Sequence, residues 1–216
     1  MRSHHLGYRS NPFMTLTTEQ WTAVGVWPTA VQPLLAHTGH IQLLGSEGAG
    51  KTSSLLLLMA AWRAEGLEPV YEHLPIEDPC LKTKLGGVRL FVLDEAQRLS
   101  RVARWRVRRW MRGGGRLVCT SHVDMRRWLG EMATLNVDEG HTAEHWSAVL
   151  QAKLAYFALP DVPRATLSAE GVGWLHGRFA PDLRAAEWLL YEVWERLEGV
   201  GEVGAADLQR HTTNNQ

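Results

Sequence analysis

The octapeptide Gly45-Ser46-Glu47-Gly48-Ala49-Gly50-Lys51-Thr52 fits the pattern G-x-x-x-x-G-K-[ST]. No other feature of the chain narrows its possible folds so far. A loop of this kind needs a buried strand before it and a helix after it. His40-Ile41-Gln42-Leu43-Leu44 reads as the strand, and Thr52 to Arg63 reads as the helix. Glycines let several backbone N–H groups converge on a phosphate chain, at a helix N-terminus that already favours negative charge. In such a loop Lys51 reaches the β- and γ-phosphates and the Thr52 hydroxyl holds Mg²⁺. A chance match in a chain of 216 residues is on the order of 1%. A nucleoside triphosphate, ATP with Mg²⁺, is the expected ligand.

The remaining pattern predicts what surrounds that loop. Strands are expected at Pro69-Val70-Tyr71, Val88 to Leu93, Leu117 to Thr120 and, more weakly, Thr134 to Val137. The second of these is nearly all apolar, as suits a parallel strand covered on both faces. Strands alternating with helices predict an α/β core with a parallel sheet. A short helix is expected between Trp27 and His37, with Val31, Leu34 and Leu35 inward. From Thr142 onward the pattern is all helical, with stretches at 143–157, 168–178 and 182–198, punctuated by Pro160, Pro163 and Pro181. The predicted division is a lead-in at 1–24 that packs only partly, a P-loop core at 25–140, a small helical lid at 141–200 and a tail at 201–216, frayed from His211. The tryptophans of the lid, Trp146, Trp174, Trp188 and Trp194, are expected in its core.

Composition excludes more than it assigns. Hydrophobic residues make up 45% and charged residues 21%, with zero formal net charge, so affinity for nucleic acid must come from local clustering. Cys80 and Cys119 are too few for a disulfide framework, which points to a reducing, cytoplasmic setting. The longest apolar run, Leu55 to Trp62, is far short of the roughly 20 residues that cross a membrane. His141 and His145 stand four apart, but Gly140 and Thr142 place a helix start between them, which argues against a metal pair.

A second motif, Leu90-Phe91-Val92-Leu93-Asp94-Glu95, carries the chemistry. An apolar strand ending in an acid is where a P-loop enzyme places its magnesium-organising aspartate, which assigns Asp94. A second carboxylate, Glu95, suits polarising an attacking water, so hydrolysis is expected rather than transfer to an acceptor, as a small-molecule kinase would require.

With a P-loop, a hydrophobic strand ending Asp94-Glu95-Ala96-Gln97, a polar strand end and a helical lid, residues 25–198 resemble an AAA+ ATPase. The Asp-Glu-Ala-Gln form and compact size are similar to the branch of transposition-regulating, secretion-associated and origin-recognition ATPases. The resemblance implies a first sensor at the end of the strand between the P-loop and acidic strands, here Thr120 or Ser121. It implies a second sensor near the start of a lid helix, here Arg184 after Pro181-Asp182. It implies an arginine finger offered to a neighbouring subunit, with Arg126 and Arg127 in the expected region, and therefore a homo-oligomer.

Ten arginines lie between Arg98 and Arg127, with Asp124 the only acid. Leu99, Ala103, Val107, Trp110 and Met111 form an apolar stripe at helical period, and Arg101, Arg104, Arg108 and Arg112 fall on the opposite face with Trp105 among them. An arginine row with an aromatic neighbour suits double-stranded DNA held by its phosphate backbone. A subunit or protein interface and a solvated face remain as alternatives. Two functions follow: an oligomerising ATPase switch that engages DNA, or a signalling or adaptor ATPase acting on a protein partner.

Overall fold

A computed structural model describes residues 3–213. Its regular elements, in chain order, are α1 (Thr18–Val24), β1 (Ile41–Leu44), α2 (Lys51–Ala64), β2 (Val70–His73), β3 (Leu90–Asp94), α3 (Arg101–Arg112), β4 (Arg116–Ser121), α4 (Arg126–Leu129), β5 (Ala133–Asn136), α5 (Ala143–Phe157), β6 (Thr166–Leu167), α6 (Ala169–Phe179), α7 (Leu183–Arg196), β7 (Glu202–Val203) and α8 (Ala205–Thr213). They form two compact units, Trp27–Gly140 and the pair of segments Met1–Val26 and His141–Gln216.

The first unit is an α/β layer structure around a five-stranded sheet in the order β2-β3-β4-β1-β5, with every pair parallel. Every residue of β3 is buried, because helices and their side chains cover both sheet faces. One face packs Ile41, Leu43, Val92 and Val118 against Leu55, Leu58 and Trp62 of α2. The other packs Phe91, Leu93, Leu117 and Cys119 against Ala103, Val107 and Met111 of α3. These last three belong to the apolar stripe read from the sequence, and the Ser100 hydroxyl caps α3 by accepting the Ala103 N–H. Between Trp27 and His37 only a single 3₁₀ turn, Gln32–Leu35, forms, since Pro33 withholds a backbone donor; Val31 is nevertheless fully buried.

The second unit is helical, with the two-stranded parallel pair β6–β7. Its helices begin at side-chain caps: Thr142 accepts from His145 N–H, Ser168 from Gly171 N–H and Asp182 from Ala185 N–H. Three expectations are corrected here. The N-terminal residues are no loose lead-in: Leu6, Tyr8, Phe13 and Leu16 are buried among Trp146, Leu154 and Trp194. Backbone bonds Arg9 N–H to Phe157 O and Leu159 N–H to Gly7 O stitch them down. The tail is likewise structured through α8, where Leu208 is buried, while residues 214–216 lie outside the described residues. Trp188 is 67% exposed and stacked on Tyr191, not in the core with Trp146 and Trp194. His141 accepts the Trp146 indole N–H.

Two histidines make the fold sensitive to acid. His40 accepts the Leu117 N–H at 3.1 Å, and burial, then Arg116, holds its pKa below the usual value. Burial, then His141, does the same to His145. Both bind protons more weakly when folded than in the unfolded chain, where histidine titrates near about 6.5. Their contribution is complete above that value and is lost as pH falls through the lower folded values. Thermal melting should therefore fall steadily from about pH 7 to about pH 5, with a shallower slope in His145→Gln. A melting temperature that holds or rises on acidification contradicts this.

Candidate active site

The chemistry-bearing residues of the first unit gather at the C-terminal ends of β1, β3 and β4. In an open parallel sheet this is where ligands bind, since strand ends and helix starts face one crevice there. Loop residues 45–50 leave β1 and turn into α2 at Gly50, whose φ of 75° lies in the left-handed region that glycine adopts without a Cβ penalty. Gly45 is constrained differently: a Cβ there would come within 2.8 Å of Asp138 Oδ1. Asp138, in the turn after β5, accepts the Ser46 N–H at 2.9 Å and the Ser46 hydroxyl at 2.9 Å, fixing the loop's entry. The buried Lys51 ammonium donates to the carbonyls of Gly45 and Ser46 at 2.7 and 2.6 Å. Loop residues Glu47, Gly48 and Ala49 complete the turn.

Asp94 is the hub. It is 1% exposed and ends β3. Thr52 donates to its Oδ2 at 2.9 Å, and the Thr120 hydroxyl donates to Oδ1. The same Thr120 oxygen accepts the Glu95 N–H at 2.9 Å. From β2, Tyr71 donates to Oδ2 at 3.2 Å and His73 Nδ1 lies 3.3 Å away. Burial, then the charge of Asp94, pushes the Tyr71 phenol up, so it stays a donor. Thr52 and Asp94 offer a hydroxyl and a carboxylate side by side, the hard oxygen donors that suit Mg²⁺.

Glu95 adopts φ 65°, a left-handed conformation costing a non-glycine residue about 1 kcal/mol. Its carboxylate is held by Arg98 at 2.9 Å and by the Gln97 amide at 2.7 Å. On its other side stands His122. Lys51 Nζ lies 3.4 Å from His122 Nδ1, and His122 Nε2 lies 3.6 Å from Glu95 Oε1. An ammonium can only donate, so Nδ1 accepts and the ring proton sits on Nε2, facing Glu95.

Sequence reasoning named Thr120 or Ser121 for the strand end and passed over His122. Thr120 is committed to Asp94 and Glu95, and the Ser121 hydroxyl accepts the Val123 N–H at 3.1 Å. The side chain that touches both Lys51 and Glu95 is the next one. The loop carrying it is pinned by fully buried Gln42, which donates to Asp124 and Thr134 at 2.7 Å and accepts the Met125 N–H at 2.9 Å. The only hint in the sequence was a glutamine inside an apolar strand. Asp138, Arg98, Tyr71 and His73 were also missed, since no motif spacing links them to the loop.

The other named residues belong to α3, α4 and α7. Arg126 is gripped by Asp124 through Nε at 2.8 Å, and the pair holds the Asp124 carboxyl far below its usual range; Arg127 is exposed with its guanidinium over Trp128. Arg184 occupies the second position of α7 in the helical unit and is exposed. Along α3, Arg101, Arg108 and Arg112 are exposed, and Trp105 is 59% exposed among them. Arg104 corrects the expected row: it is half-buried, donates to Gln97 O at 3.0 Å and lies over the Trp128 ring at 4.3 Å. At helical spacing it sits next to Met111 on the buried side, and Arg106 and Arg109 take its place on the exposed face.

No protein-family model matches the sequence, and no curated protein resembles it closely enough to count. Solved structures do match. Thermotoga maritima RuvB, the Holliday junction branch migration motor, superposes with a TM-score of 0.57 at 14% identity, covering 91% of this chain and 68% of that one. ORC1 of Aeropyrum pernix, in complex with DNA, gives 0.56 at 18% identity, covering 94% and 67%. NtrX of Brucella abortus, in complex with ADP, gives 0.54 at 13% identity, covering 88% and 57%. The chain spans about two thirds of the RuvB and ORC1 chains, 65% for one single-residue RuvB variant. Identities this low establish architecture alone: the five-stranded 2-3-4-1-5 sheet followed by C-terminal helices is the fold of the AAA+ ATPase core.

Proposed function

We propose that the chain is an ATP-hydrolysing molecular switch that oligomerises with ATP and engages double-stranded DNA. The observation that carries the enzymatic part is that His122 bridges Lys51 and Glu95 while Thr52 meets Asp94, the residue before Glu95. In this reading residues 45–52 cradle the β- and γ-phosphates, and Lys51 exchanges its loop carbonyls for phosphate oxygens. Thr52 and Asp94 hold Mg²⁺, which when bound neutralises charge on the phosphates. Glu95 orients and deprotonates the attacking water, kept in position by Arg98 and Gln97. His122, between Lys51 and Glu95, meets the γ-phosphate and is the first-sensor residue in place of Thr120 or Ser121. Arg184 is the second sensor, and Arg127 is a better finger than Arg126, which Asp124 already occupies.

For DNA, the support is the exposed face of α3, where Arg101, Arg106, Arg108, Arg109 and Arg112 surround Trp105, with Arg109 over the indole at 5.5 Å. Neighbouring folds that act on or bind DNA, RuvB and ORC1, agree with this. Such binding is to the backbone and independent of sequence. One observation favours the protein-partner reading instead: Val102, 69% exposed, adjoins Trp105 and adds apolar surface that a phosphate backbone does not need.

Four measurements decide. Lys51→Ala should weaken ATP binding about 10- to 100-fold, the worth of a charge-assisted hydrogen bond. Glu95→Gln should keep ATP, lose about 100-fold or more in hydrolysis, and accumulate as ATP-dependent oligomers seen by light scattering; monomers at saturating ATP would refute the switch. His122→Ala should lower kcat by about 100-fold with ATP affinity nearly unchanged, whereas a loss confined to affinity would remove its assigned role. Binding of duplex DNA should weaken steeply with salt, and neutralising Arg101, Arg108 and Arg112 should flatten the log–log slope by about one for each phosphate left without its arginine. Absence of binding at low salt selects the protein partner.

A further inference from the structure

β2 sends two side chains to Asp94 that the phosphate-loop motif does not require. Tyr71 and His73 are two residues apart on a strand and so share a face, and both reach Asp94 Oδ2, at 3.2 and 3.3 Å. Thr52 donates to that same oxygen at 2.9 Å. A carboxylate oxygen has two lone pairs, so three polar neighbours exceed what hydrogen bonding alone would use.

The spacings fit a second purpose. Adjacent corners of an octahedron with arms of about 2.1 Å stand about 3 Å apart. Thr52 Oγ1 and His73 Nδ1 each stand at about that separation from Asp94 Oδ2, at 2.9 and 3.3 Å. Neutral imidazole with its proton on Nε2 presents Nδ1 as a lone-pair donor. The His73 side chain is 47% exposed, which leaves the ring room to turn. Among the described residues no three His, Cys, Asp or Glu side chains group to hold a metal by themselves. Phosphate oxygens and water therefore have to complete any shell here.

We propose that His73 donates its Nδ1 to the divalent cation held by Thr52 and Asp94, and that this nitrogen makes the site prefer a first-row transition ion such as Mn²⁺ over Mg²⁺. The inference rests on the nucleotide-site reading above. Mg²⁺ is selected by oxygen donors, whereas imidazole adds affinity for transition ions and little for Mg²⁺. Tyr71 acts as a positioning residue, holding the Asp94 carboxylate in place from the same strand.

The test uses the full chain with Mn²⁺ and inorganic tripolyphosphate, which contains no nitrogen. Pulsed electron paramagnetic resonance should report an imidazole ¹⁴N coupling in the natural protein and in His122→Ala, and none in His73→Ala. Calorimetry should show Mn²⁺ affinity about 10-fold lower in His73→Ala, with Mg²⁺ affinity within about twofold of the natural value. His73→Gln, similar in size, repeats the measurement should the alanine variant unfold. Bound Mn²⁺ without nitrogen coupling overturns the proposal and leaves the ATPase reading standing. Failure to bind Mn²⁺ with triphosphate, alongside absent ATP binding, overturns both.

Discussion

A buried carboxylate has to be surrounded by donors, and Asp94 is where that requirement organises the P-loop unit. An ionised group shut away from water costs several kcal/mol unless its oxygens are hydrogen-bonded. Asp94 meets the demand with Thr52 from α2, Thr120 from β4 and Tyr71 from β2. Three separate elements are thereby tied to the end of β3. Thr120 passes the constraint on, since its oxygen also receives the Glu95 N–H and so sets where the next carboxylate begins.

The strand order explains why such a hub can exist. β4 lies between β3 and β1, so the residues just past its end stand beside both the acidic motif and the phosphate loop. His122 benefits directly, with one ring nitrogen toward Lys51 and the other toward Glu95. Gln42 sits beneath that junction in β1 and binds the loop after β4 through both ends of its amide. A fully buried glutamine with its amide hydrogen-bonded at both ends rigidifies its surroundings, here the loop that follows His122. Asp138 does the same for the phosphate loop from the far side, closing on Ser46.

Some of this could be read from the chain alone. The phosphate loop, the strand ending in Asp94 and the periods of α3, α5, α6 and α7 are local patterns, and local patterns survive translation into structure. The helix starts at Thr142 and Asp182 were equally readable, because a cap is a bond between near neighbours. Reading failed where long-range packing decided. The N-terminal segment looked polar and loose, yet Leu6, Tyr8 and Phe13 find a core more than a hundred residues away in sequence. Arg104 counted as one more surface arginine until Trp128 of α4 came to lie under it. Trp188 looked like its buried neighbours but stands on the open side of α7.

By itself the sequence determined that a glycine-rich loop leads from a buried strand into a helix, that an acid pair follows at the end of a second buried strand, and that a helical segment comes after an α/β core. Each of these depends on spacing within a few residues, so chain order is enough to specify it. Which side chains complete the site was decided by tertiary structure alone. His122, His73, Tyr71, Arg98 and Asp138 join it because a parallel sheet brings strand ends together from distant stretches of chain. No local pattern encodes which residue will stand across from which once strands from different parts of the chain lie side by side.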